Sequence, residues 1–356
     1  MAKQNLDRLT PLERMRAFRE GKSYDRIPCV PSIGDHAATV LGIKVSDYNL
    51  NPQLMAAAQI AAYRLYGHDS VGVGPGSTGI AEAVGSVVRF PEQSTPLIEK
   101  PLLTVKANLD DVDLPDPRRS GRFPVFLEAL EVLVEKLGAE VPISLTLGGP
   151  VSTAAGLRGT EWLLRDFRVD PEFAHTLLDF AVRATVPFVR EVARLGVGFN
   201  IVDPVSSGSL LSPQQYIEFA APHQTRLISE IKAAGASAML HICGDTRRSW
   251  GQMANTGASA LSLDNVIDLA AAKQAIGHQI TLAGNIDPTA TMYLGTPQDV
   301  ERDAKRCLRD GHDAPAGYIL ALGCGLPIFT PHENVHALMN VSRDLGRYPI
   351  NPARLS

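Results

Sequence analysis

Eight short apolar runs recur along the chain, and a stretch of helical character follows each. The runs lie at 26–31, 69–74, 142–150, 198–204, 238–245, 260–265, 279–288 and 318–325. Two strands joined through a helix must run in the same direction, so strict alternation demands a parallel sheet. Eight repeats favour a (β/α)8 TIM barrel of the α/β class over an open doubly wound sheet. A length of 356 residues suits one such domain. Residues 1–25 read as an N-terminal helical extension, because Thr10-Pro11 with Glu13 is a strong helix-start signal. Residues 86–121, with short strand-like pieces and a proline- and charge-rich connection, read as a small insertion after strand two.

Composition narrows the function. The chain carries 34 basic and 38 acidic residues, a formal charge of −4, and nothing in that balance points to nucleic acid or a membrane surface as the main partner. No apolar run approaches the roughly 18 residues a membrane helix requires. The start, Met1 to Arg8, has no apolar signal region, so the cytoplasm is expected. Four cysteines do not make a disulfide framework. Cys29 reads as packing and Cys307 as a plain helix residue.

The glycine-rich Gly74-Pro75-Gly76-Ser77-Thr78-Gly79 lacks the Lys-Ser/Thr of a phosphate loop. Chemistry concentrates instead in Leu240-His241-Ile242-Cys243-Gly244-Asp245. On a strand, residues i and i+2 leave the same face, so His241 and Cys243 offer two ligands to one metal. Cys324, at the end of the eighth run, supplies a third. One nitrogen and two sulfurs suit zinc and leave a coordination position for chemistry. Glu82, on the loop after strand two, is a possible fourth ligand. Asp203, Asp264 and Asp287 follow other strands, where they orient ligands, bind substrate or act as acid or base, or simply brace turns. Asn285 and Arg247 are candidates for holding a cofactor. His332 belongs to a helix start, with Thr330 and Glu333 forming a capping box.

Over about Thr10 to Arg347 the chain resembles the uroporphyrinogen decarboxylase superfamily, and within it the zinc-dependent corrinoid methyltransferase branch. The carriers are Gly149-Pro150, Asp203-Pro204, His241-Ile242-Cys243-Gly244, Gly284-Asn285-Ile286-Asp287-Pro288 and Gly323-Cys324-Gly325 with Thr330-Pro331-His332-Glu333-Asn334. The resemblance implies that His241, Cys243 and Cys324 hold Zn2+. It also implies methyl transfer between a corrinoid (cobalamin), carried by a small partner protein, and a zinc-activated thiol or methoxylated compound. The decarboxylase branch has an arginine-rich segment near its first strand, whereas Val30 to Ala37 contains no arginine. Metal-free decarboxylation of a tetrapyrrole acid and a non-catalytic barrel with structural zinc are the alternatives.

Overall fold

The computed structural model describes residues 7–106 and 109–355. Residues 1–6, on which most of the signal-region reading and the beginning of the 1–25 extension rest, lie outside the described residues. Eight strands follow in chain order: β1 (Cys29–Val30), β2 (Val71–Gly76), β3 (Ile143–Gly148), β4 (Gly198–Val202), β5 (Ala238–Ile242), β6 (Ala260–Leu263), β7 (Thr281–Ile286) and β8 (Tyr318–Leu322). All neighbours pair in parallel, in the order β1-β8-β7-β6-β5-β4-β3-β2, and helices wrap the outside of a (β/α)8 barrel. No helix among the described residues is long and apolar enough to cross a membrane.

The period of two along each strand divides two packing zones. On β8, Tyr318, Leu320 and Leu322 join the large core between strands and helices. Ile319 and Ala321 face the other way and pack with Ala283 and Met15 in a separate cluster. Met15 lies on the helix Pro11–Arg19, which covers the barrel floor. The Thr10–Glu13 capping box that starts this helix is formed in full.

The seam between β1 and β2 is closed by a side chain. Prolines at 28 and 31 flank β1, which is two residues long, and proline supplies no ladder donor. Asp69 bridges the gap: its Oδ2 accepts from the Cys29 amide at 2.7 Å, and its own amide donates to the Cys29 carbonyl at 3.0 Å. Arg14 and Arg26 donate to the same carboxylate at 2.6 Å each. All three side chains are fully buried.

Within the 86–121 stretch, Val87–Arg89 and Leu97–Lys100 form an antiparallel hairpin. It docks on the helix Pro150–Arg158, where Ser86 Oγ donates to the Gly156 carbonyl at 3.0 Å and the Leu103 amide to the Leu157 carbonyl at 2.8 Å.

The Thr330 capping box does not form. The chain first turns through Pro327–Thr330, and the helix His332–Leu345 begins after Pro331 as its N-cap. Thr330 therefore lies outside the cap position, and its hydroxyl is buried without a partner.

His68, ahead of β2, is buried with both ring nitrogens unpartnered. Burial pushes its pKa down to about 4. Because the folded value lies below the unfolded one of about 6.5, its contribution to stability is full above pH ~6.5 and is lost as pH falls through about 4. H68L is expected to flatten the decline of stability over that window, as measured by urea unfolding at a series of pH values.

Candidate metal centre

At the C-terminal mouth of the barrel, His241, Cys243 and Cys324 bring their ligand atoms within 4.8 Å of one another. His241 is the penultimate residue of β5, whereas Cys243 and Cys324 lie just beyond the ends of β5 and β8. Leaving the ladder lets both sulfurs lean over the mouth, so two strands separated by β6 and β7 share one point. Cys243 Sγ is 3.3 Å from His241 Nε2 and 3.9 Å from Cys324 Sγ. Around a tetrahedral zinc, sulfurs at ~2.3 Å and a nitrogen at ~2.0 Å would stand roughly 3.8 Å (S–S) and 3.5 Å (N–S) apart. The donor set fits the ion in chemistry, and both distances from Cys243 fit it in spacing.

The neighbours of these ligands fix their orientation. His241 is paired in register with Ser262 of β6, and its Nδ1 lies 3.2 Å from the Ser262 carbonyl and 3.1 Å from its hydroxyl. A carbonyl only accepts, so the proton sits on Nδ1 and the Nε2 lone pair faces the sulfurs. Gly244 takes a positive φ of 76°, which favours glycine, and its amide donates to Asp264 Oδ2 at 2.7 Å. Each sulfur shapes the other's proton affinity. The hydrogen bond between them holds the Cys324 thiol below the usual range, while the same bond and burial push Cys243 up.

Ser262→Ala is expected to weaken metal binding by no more than about tenfold, the low end for an orienting partner, because the backbone carbonyl still orients Nδ1. Competition with a chromophoric chelator measures this.

The remaining candidates are distributed around the rim. Asp264 is nearly buried, and its second oxygen accepts from the Val266 amide at 3.1 Å. Asp287 accepts from the Thr289 and Ala290 amides at 2.8 and 2.7 Å and from Asn265 at 3.0 Å. Asp203 is fully buried, where it accepts from the Ser152 amide at 2.7 Å and from Gln224 at 2.8 Å. Burial raises its pKa above the ordinary carboxylate value. A Cβ on Gly149 would stand 2.4 Å from Asp203 Cγ, which accounts for glycine there. Asn285 is buried and donates to the carbonyls of Asp264 and Ile267 at 3.0 and 2.7 Å. Arg247 is exposed and pairs with Asp245 at 2.7 Å. Glu82 is absent from the converging ligand group, and its carboxylate pairs with Arg122 at 2.9 Å.

Sequence reading missed Ser262, Arg122, His36 and Tyr66. Ser262 had a weak signal, a polar residue in the run that pairs with the His241 strand. The other three had none, because their partners are remote in sequence.

A (β/α)8 barrel with an imidazole and two thiols converging at its C-terminal mouth is the class that fold and site define. Residues 10–345 match the family described as uroporphyrinogen decarboxylase (URO-D), and the chain belongs to that family. Methylcobamide:CoM methyltransferase MtbA of Methanosarcina mazei is 30% identical, over 94% of this chain and 98% of its own length. Methylcobamide:CoM methyltransferase MtaA of Methanosarcina barkeri is 31% identical, over 92% and 95%. A solved methyltransferase from Methanosarcina mazei superposes with a TM-score of 0.85 at 27% identity, covering 94% of this chain and 98% of that one.

Proposed function

We propose that this chain is a zinc-dependent methyltransferase moving a methyl group between a corrinoid, presented by a small carrier protein, and a thiol or methoxylated substrate. The observation that carries this is the convergence of His241, Cys243 and Cys324 at the mouth, in a chain similar to methylcobamide:CoM methyltransferases along nearly its whole length. Zinc held by these residues would keep a substrate thiol deprotonated at neutral pH, where an ordinary thiol of pKa ~8.5 is mostly protonated.

The chain's own residues do the rest. Ser262 orients the His241 ring, and Asp264 fixes the turn after Cys243. Arg122 holds one oxygen of the Glu82 carboxylate, and Glu82 lies outside the converging group, so the fourth position goes to substrate. We assign Asp287, Asn285 and Asp203 to bracing the rim, from their hydrogen bonds. Arg247, exposed and paired with Asp245, would meet a carrier protein or anionic substrate tail only by exchanging that partner. A cytoplasmic location suits four free cysteines.

Metal analysis combined with demethylation of methylcobalamin by a panel of thiols and methoxylated compounds tests this. About one zinc per chain and zinc-dependent transfer are expected. Full activity without metal, or turnover of uroporphyrinogen, would replace the proposal.

A further inference from the structure

Away from the metal ligands, a chain of hydrogen bonds runs from the surface to the loop that carries Cys324. His332, exposed at the start of its helix, lies with Nδ1 against the Tyr66 hydroxyl. Tyr66 Oη stands 2.9 Å from His36 Nε2, and His36 Nδ1 stands 2.7 Å from the Ile328 carbonyl. His36 is fully buried and Tyr66 nearly so. The carbonyl only accepts, so His36 carries its proton on Nδ1, and burial, which pushes its pKa down to about 4, keeps the ring neutral. Nε2 is then an acceptor, Tyr66 must donate to it, and Tyr66 Oη receives from His332 Nδ1–H. Every donor in this chain has one direction available.

The loop beyond β8 has little regular structure of its own. Gly323 is anchored by its amide to the Ile286 carbonyl at 2.8 Å, and Leu326 by its amide to the Ser32 carbonyl at 3.3 Å. His36 then grips the loop at Ile328. Two of these three anchors, Ser32 and His36, come from the segment after β1, which is not where either sulfur or the imidazole originates. Cys324 lies between the first anchor and the other two. Its position over the mouth is therefore fixed from outside the ligand strands.

We propose that His36 and Tyr66 are positioning residues for the third ligand: acting through the Ile328 carbonyl, they hold the Gly323–Thr330 loop so that Cys324 Sγ stays within reach of Cys243 and His241. This deepens the metal reading and rests on it. The test therefore includes a measurement that needs no metal.

The variants are H36A, H36N and Y66F. The amide nitrogen of asparagine occupies the place of imidazole Nδ1, so H36N keeps the bond to Ile328, while Y66F keeps the ring and loses only the hydroxyl. Cobalt(II) affinity is read from the sulfur-to-cobalt charge-transfer band. In metal-free protein, the rate of diamide-driven disulfide formation between Cys243 and Cys324 is followed by peptide mapping. H36A is expected to weaken cobalt binding by about tenfold or more and to slow disulfide formation by a similar factor, as for loss of an orienting partner. Y66F is expected to lose about threefold in both, and H36N, which keeps the Ile328 bond but gives up the acceptor for Tyr66, to recover both to about the Y66F level.

Cobalt affinities and disulfide rates within twofold of the wild type in both H36A and Y66F would overturn the inference. Failure of H36N to the same extent as H36A would also overturn it, because the loss would then come from packing. Should H36A not fold, Y66F and H36N decide the matter. Wild-type protein that binds no cobalt, while disulfide formation still slows in Y66F, would reject the metal proposal and leave the positioning role standing.

Discussion

Replacing Cys324 with serine is expected to abolish stoichiometric zinc and to lower kcat/KM for methyl transfer from methylcobalamin to a thiol by about a thousandfold or more. That factor corresponds to roughly 4 kcal/mol of transition-state stabilisation. The substitution changes one half-buried atom for a slightly smaller one, so packing is nearly untouched. Ligation changes completely, because a serine hydroxyl does not ionise as a thiol does and is a poor ligand for zinc. His241 and Cys243 alone leave a two-point site, and Cys243 also loses the sulfur that shares its proton. Metal content by mass spectrometry, the activity and the thermal midpoint of the metal-free protein should be measured together. An unchanged midpoint with lost metal and activity assigns the effect to ligation. Retained activity would remove the zinc mechanism.

Replacing Asp69 with alanine is expected to destabilise the fold by about 3–5 kcal/mol, the usual cost of breaking a buried ion pair from one side. The carboxylate receives Arg14, Arg26 and the Cys29 amide, and each is left buried without that acceptor. Asp25 and Asp7 still bind the two guanidinium groups from their other edges, at 2.7 and 2.8 Å, which limits the loss. The β1–β2 seam, which has no ladder of its own, loses its bridge as well. A fall of roughly 4–7 °C in the apparent unfolding temperature is expected by calorimetry. Asp69 precedes β2, at the floor end of the barrel, so the zinc content of the folded variant should remain close to that of the wild type. An unfolding temperature within a degree of the wild type would show that the seam is held elsewhere.

The two substitutions probe different levels of organisation, and they differ in how legible they were. The convergence of His241, Cys243 and Cys324 could be anticipated because sulfur and imidazole are scarce and chemically particular, and because each sits where an apolar run stops. Alternation of strand and helix pointed to the barrel for a similar reason: periodicity is a local property that survives in sequence. The capping boxes show where local reading ends. Thr10 and Glu13 form theirs, whereas Thr330 and Glu333 do not, because a turn at Pro327–Thr330 and the burial of the Thr330 side chain moved the helix start to His332. The same shift brought His332 onto Tyr66, a contact without any sequence signal. Glu82 was legible as a carboxylate near the mouth, but its arginine lies 40 positions away, beyond the Val87–Lys100 hairpin.

Local order in the chain was thus enough to specify which elements form, their parallel order and which three side chains have metal-binding chemistry, since spacing and residue type are properties of short stretches. Tertiary packing set how far the sulfurs beyond β5 and β8 reach toward each other, which polar groups orient them, and what closes the β1–β2 seam. Those depend on distances between residues tens to hundreds of positions apart, and no short stretch encodes such distances until the barrel has closed.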